Sequence, residues 1–126
     1  MDRAEALGAR AENLAAEIYE RRGWTVVARN WRPRGLDLRG ELDLVARKDE
    51  ILAVVEVKAL RRRGPLGGPR EAVTPGKIRR LARLADALRV SLPELRGLYV
   101  RFDVVAVLWP RGREPEVELI EDAFRV

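Results

Sequence analysis

"GELDLVARKDEILAVVEVK", Gly40 to Lys58, reads as two apolar strands, 41–47 and 51–58, joined by a tight charged turn at "KDE". Side chains alternate faces along a strand. In 51–58, Leu52, Val54, Glu56 and Lys58 share one face, and Ile51, Ala53, Val55 and Val57 share the other. A strand that is apolar on both sides is normally central and covered by helices. In the preceding strand Glu41, Asp43 and Val45 share a face, with Leu42, Leu44 and Ala46 opposite. The segment therefore predicts a buried hairpin with four charged groups at one end.

Working outward, Leu7, Ala11, Leu14, Ala15 and Ile18 recur at helical spacing, predicting an amphipathic helix over 2–22 stopped by Gly23. "WTVVARNW" (24–31) reads as a strand and "RPRGLDLRG" (32–40) as a basic loop. After the hairpin comes a Gly/Pro/Arg loop, 61–71. Thr74-Pro75 then makes a helix start, Thr as N-cap and Pro in the first turn, with Ile78, Leu81, Ala82, Ala85 and Leu88 on its apolar side. "LYVRFDVVAVLW" (98–109) is strongly strand-like and "EVELIE" (116–121) is a short edge candidate. The order α-β-β-β-α-β-β predicts one α/β domain over 1–126, a central mixed sheet flanked by helices.

A chain of 126 residues is large enough to bury a core without disulfides. It has no cysteine and no histidine, which excludes thiol catalysis, Cys/His zinc sites and Ser-His-Asp chemistry. Any metal must be held by oxygen, which points to Mg²⁺, Mn²⁺ or Ca²⁺. With no long apolar run and no signal-peptide core, a cytoplasmic protein that does not enter membranes is expected. The net charge of +5 is segregated: residues 21–39 hold six Arg against one Asp, and 61–89 hold eight Arg and one Lys against two acids. Such segments suit a polyanion such as DNA.

Charge at the end of a buried strand is costly unless it is paired or binds something. If the charged faces of the two strands coincide, Asp43, Glu56 and Lys58 converge. One account is a plain salt bridge of Lys58 with Glu56 or Asp43. Against it, Arg supplies 22 of the 25 cations, and Lys appears only at 48, 58 and 77. A compact ammonium that can approach a water or a phosphate oxygen requires Lys. An Asp followed by Glu-x-Lys on the next strand is also the pattern of metal-dependent nucleases. There the carboxylates hold a hard cation and the lysine orients the attacking water. Glu12, on the margin of the first helix's apolar face, is a third acid, alternatively a surface Glu beside an Arg.

"GELDLVA" with "VVEVK", "GARAENLAAE", "ARNWR", "TPGKIRRLARLA" and "RFDVVAV" together resemble the YraN family over nearly the whole chain. These are small bacterial proteins with a predicted restriction-endonuclease-like core, similar to archaeal Holliday junction resolvases. The resemblance implies Glu12 as the helix acid, Asp43 as the main metal ligand, and Glu56 with Lys58 as the Glu-x-Lys pair. It also implies Glu41 as a second ligand or a support for the first, and Lys77 as a phosphate contact. Leu60 departs from the family, which usually has Arg two residues after the motif lysine; here Arg61 comes one later.

The resulting expectation is a Mg²⁺- or Mn²⁺-dependent endonuclease acting on branched or structured DNA, its ion held by Asp43 and Glu56 with Glu12 assisting and Lys58 on the water. It would grip DNA through Arg29, Arg32, Arg34, Arg61, Arg62, Arg63, Lys77 and Arg80. Symmetric cutting of two strands would require a homodimer. The alternative is a nucleic-acid-binding module that keeps the fold without cleavage. A further alternative is a protein-interaction adaptor whose charge reflects Arg-rich usage alone. Trp24 and Trp109 are expected in or beside the core, Trp31 either there or against a base, and Asp103 in a structural pair with Arg101.

Overall fold

The computed structural model describes residues 3–35, 38–63 and 73–125, with side chains from residue 6 onward. Helix α1 (Arg3–Arg21) leads into β1 (Thr25–Trp31), β2 (Leu42–Lys48) and β3 (Ile51–Leu60). Helix α2 (Pro75–Ser91) and a 3-10 turn (Pro93–Leu95) precede β4 (Tyr99–Leu108) and β5 (Glu116–Phe124). The order α-β-β-β-α-β-β is the expected one, in a single α/β domain. Most of the 61–71 loop, from residue 64, lies outside the described residues.

The five strands form one mixed sheet in the order β1-β2-β3-β4-β5. β1, β2 and β3 are successive antiparallel neighbours, β3 and β4 run parallel, and β5 closes the far edge antiparallel to β4. A parallel pair needs a crossover, and α2 supplies it between β3 and β4. Its start is set by Thr74, whose hydroxyl accepts from the Lys77 N–H at 3.2 Å, and by Pro75 in the first turn.

Both faces of the sheet are covered. On one side Leu81, Leu84, Ala85 and Leu88 of α2 pack on Leu42, Val45, Leu52, Val54 and Phe102. On the other, Ala11, Ala15, Ala16 and Tyr19 of α1 pack on Leu44, Ala46, Ala53, Val55, Val105 and Val107. The small residues let α1 lie close to the sheet, which matters for the site it carries.

Three details differ from the sequence reading. The buried face of α1 includes Ala16 and Tyr19, while Leu14 and Ile18 are only half-buried. Periodicity does not reveal Tyr19 as a core residue, because its hydroxyl can be buried only beside a partner that local pattern does not show. β5 extends to Phe124, whose ring stacks on Phe102 with centroids 5.0 Å apart. Finally, Leu42 and Leu44, two apart in one strand, face opposite layers rather than the same one. The strand turns over between them, at Asp43.

Candidate metal centre

That rotation builds the site. The β2–β3 ladder runs from Lys48↔Ile51 to Leu44↔Val55, and its continuation would set Asp43 opposite Glu56 and Glu41 opposite Lys58. Beyond Leu44 the Asp43 carboxylate takes over, accepting the Val57 N–H at 2.9 Å. Gly40 makes the approach feasible. Its φ is +105°, and an added Cβ would lie 3.3 Å from Arg80 Cδ and 3.4 Å from Leu84 Cδ1. The chain thus enters β2 pressed on α2, with Glu41 aimed at the sheet's end.

Carboxylate oxygens of Glu12, Glu41 and Asp43 all lie within 4.8 Å of one another. Glu12 reaches the cluster from α1, one residue past the fully buried Ala11. Burial, then the Glu56 carboxylate, then Glu12 and Glu41, push the Asp43 carboxyl up to about 7, against the opposing pull of the Val57 N–H. Four acids around one strand end repel one another, and a cation relieves that repulsion. Every donor is a hard oxygen, which suits Mg²⁺ or Mn²⁺.

The acids have polar partners around their rim. Asn30 Nδ2 donates to Glu12 Oε2 at 3.0 Å, and Arg32 Nε lies 3.0 Å from Glu41 Oε2. Lys77 Nζ sits 2.7 Å from Glu56 Oε1. Glu56 is not among the three mutually close acids, because its carboxylate is turned to α2. The salt bridge anticipated at this end therefore exists, but Lys77 makes it rather than Lys58. Lys58 is exposed and makes no hydrogen bond or ion pair among the described residues. Lys77, expected at a phosphate, is engaged with Glu56 because the first turn of α2 opens beside the end of β3.

Other basic candidates are placed as follows. Arg29 donates to Asn13 of α1, and Arg34 and Arg62 are exposed. Arg61 Nη1 donates to the Trp109 carbonyl at 3.3 Å, and Arg63 pairs with Glu116 at 3.0 Å. Arg80 is exposed on α2 beside Gly40. Trp31 packs against the α2-side core, while Trp24 and Trp109 pack against the α1 side. Sequence reasoning missed Asn30. Its signal was an Asn inside a strand, where Asn is depleted, and a φ of +47° turns it toward Glu12.

A family model described as "Uncharacterised protein family UPF0102" matches residues 11–107, most of the chain and all of this site. The chain belongs to UPF0102. This is the YraN family of the resemblance. A UPF0102 protein of Clavibacter michiganensis is 46% identical over 123 residues, covering 98% of this chain and 99% of its own. One from Acidothermus cellulolyticus is 45% identical over 129 residues, covering 95% and 94%. One from Anaeromyxobacter dehalogenans is 43% identical over 123 residues, covering 98% and 87%. The UPF0102 match begins one residue before Glu12 and ends within β4, so β5 lies outside it.

Proposed function

We propose that this UPF0102 protein is a divalent-cation-dependent endonuclease with a restriction-endonuclease-like core, hydrolysing DNA phosphodiesters in branched or structured DNA. The observation that carries it is the meeting of Glu12 from α1 with Glu41 and Asp43 from the start of β2, with carboxylate oxygens within 4.8 Å. A bound Mg²⁺ or Mn²⁺ would supply charge neutralisation and water activation at the phosphate. Glu12, Glu41 and Asp43 would hold it.

The chain's own groups supply the rest. Lys58, exposed and unpaired among the described residues, would orient the attacking water and offset the negative charge that develops on the phosphate oxygens. The basic groups at Arg29, Arg32, Arg34, Arg61, Arg62, Arg63 and Arg80 would draw in the phosphodiester backbone. Branched DNA follows from the resemblance to junction resolvases, and a two-fold dimer would give paired cuts. No helix among the described residues is long and apolar enough to cross a membrane.

One observation favours a second reading. The 2.7 Å pairing of Glu56 with Lys77 closes one acid off from a metal, which suits a module that binds nucleic acid without cutting it. A branched-DNA cleavage assay with Mg²⁺ or Mn²⁺ separates the two. The nuclease reading expects cutting that Asp43→Asn and Lys58→Met each reduce by about 100-fold or more while DNA binding persists. Binding without cleavage on every branched and single-stranded substrate tried would support the second.

A further inference from the structure

Two lysines flank the acidic end of the sheet and are placed very differently. Lys58 extends from β3 into solvent. Lys77 comes from the first turn of α2, and its ammonium touches Glu56, whose side chain is only 12% exposed. Lys77 itself is 29% exposed, and a lysine has four rotatable bonds, so the ammonium can leave Glu56 for solvent without any backbone movement. The ladder's continuation places Glu56 opposite Asp43, so Glu56 is the remaining acid able to join the Glu12–Glu41–Asp43 set once it is released.

From this geometry we infer that Lys77 is a resident counterion of the carboxylate cluster, holding Glu56 in the metal-free protein and giving it up when a divalent cation enters. The inference rests on the metal-site reading above. It makes Lys77 a positioning residue with a cost: its charge competes with the ion for Glu56. Glu41 keeps a different type of partner. Arg32 is exposed at the surface, and its Nε contact leaves the second Glu41 oxygen to other ligands.

The competition is measured with Mn²⁺ alone, without DNA, by water-proton relaxation on wild type, Lys77→Met, Lys77→Arg, Glu56→Gln and Asp43→Asn. Removing a unit positive charge a few ångströms from the ion is expected to tighten Mn²⁺ binding about 10-fold in Lys77→Met. Lys77→Arg, still charged, should bind no more tightly than wild type. In a Glu56→Gln background, adding Lys77→Met should bring little further gain, since the contested carboxylate is gone. A second readout needs no variant that could misfold. The chain has three lysines, and Lys48 donates to the Arg22 carbonyl at 2.7 Å, far from the site, as an internal control. In ¹⁵N-lysine spectra, Mg²⁺ should shift the Lys77 ammonium and leave that of Lys48 in place. Wild type that binds Mn²⁺ but shows neither tightening in Lys77→Met nor a Lys77 shift would overturn the counterion role and leave the metal site standing. Absence of Mn²⁺ binding in wild type would overturn the metal site, and this inference with it.

Discussion

Two aspartates, Asp43 in β2 and Asp103 in β4, are both withdrawn from solvent, and the sheet treats them in opposite ways. Asp103 is fully buried and fully partnered. Arg101 donates to both of its oxygens at 2.9 Å, Tyr19 Oη donates at 2.6 Å, and the Asp122 N–H donates at 2.9 Å. These bonds tie α1, β4 and β5 together. Asp43 has one backbone donor and three acidic neighbours. A buried charge with four donors is a structural fastener. A half-buried charge surrounded by its own kind is unstable unless something else arrives, and that is the physical argument for a cation at this end of the sheet.

The comparison breaks most visibly by truncation. Asp103→Ala strands a guanidinium, a phenol and an amide in the interior, and should lower unfolding free energy by about 3–5 kcal/mol in urea titration. Asp43→Asn should act the other way on the metal-free protein, raising its stability at pH 8 by on the order of 2 kcal/mol, because a repelled charge is removed. If both substitutions destabilise equally, the distinction between the two aspartates fails.

The pH dependence follows with its sign. Asp43 ionises at about 7 in the folded protein against 3.8 for an ordinary aspartate, so the folded state retains a proton that the unfolded chain has already lost. Its contribution to metal-free stability is full below pH 4 and is lost as the pH climbs through 7. Thermal melts of wild type should therefore show this component declining between about pH 4 and pH 7 and levelling off above. Asp43→Asn should remove it, and millimolar Mg²⁺ should suppress it by favouring the carboxylate.

Smaller effects sharpen the picture. Gly40→Ala, at φ +105° and against Arg80 and Leu84, should cost roughly 1–3 kcal/mol and weaken Mn²⁺ binding by moving Glu41. Tyr19→Phe should cost about 1 kcal/mol, since Asp103 keeps its other donors. It should leave Mn²⁺ affinity nearly unchanged, which relaxation measurements would check.

Much of this architecture was legible in local pattern. The period-two alternation of β3, the three- and four-residue spacing of α1 and α2, and the Thr74-Pro75 start all record which faces must leave water, and the structure follows them. Asp43 and Glu12 stood out for the same reason, as charges on otherwise apolar margins. The pairing of Asp103 with Arg101 is legible too, since the two stand two residues apart on the same strand face. Tyr19's part in that network was not legible, because its partner lies 84 residues away.

Amino-acid order alone was enough to establish seven elements, their sequence and an oxygen-only chemistry in a chain lacking cysteine and histidine. Burial and backbone periodicity are local properties, and local pattern records them. Which lysine holds Glu56 was decided by tertiary packing, as were the turning over of β2 at Asp43 and the approach of Glu12 to Glu41. Each depends on how α1 and α2 seat on opposite faces of the sheet, and a charge finds its partner through space rather than along the chain.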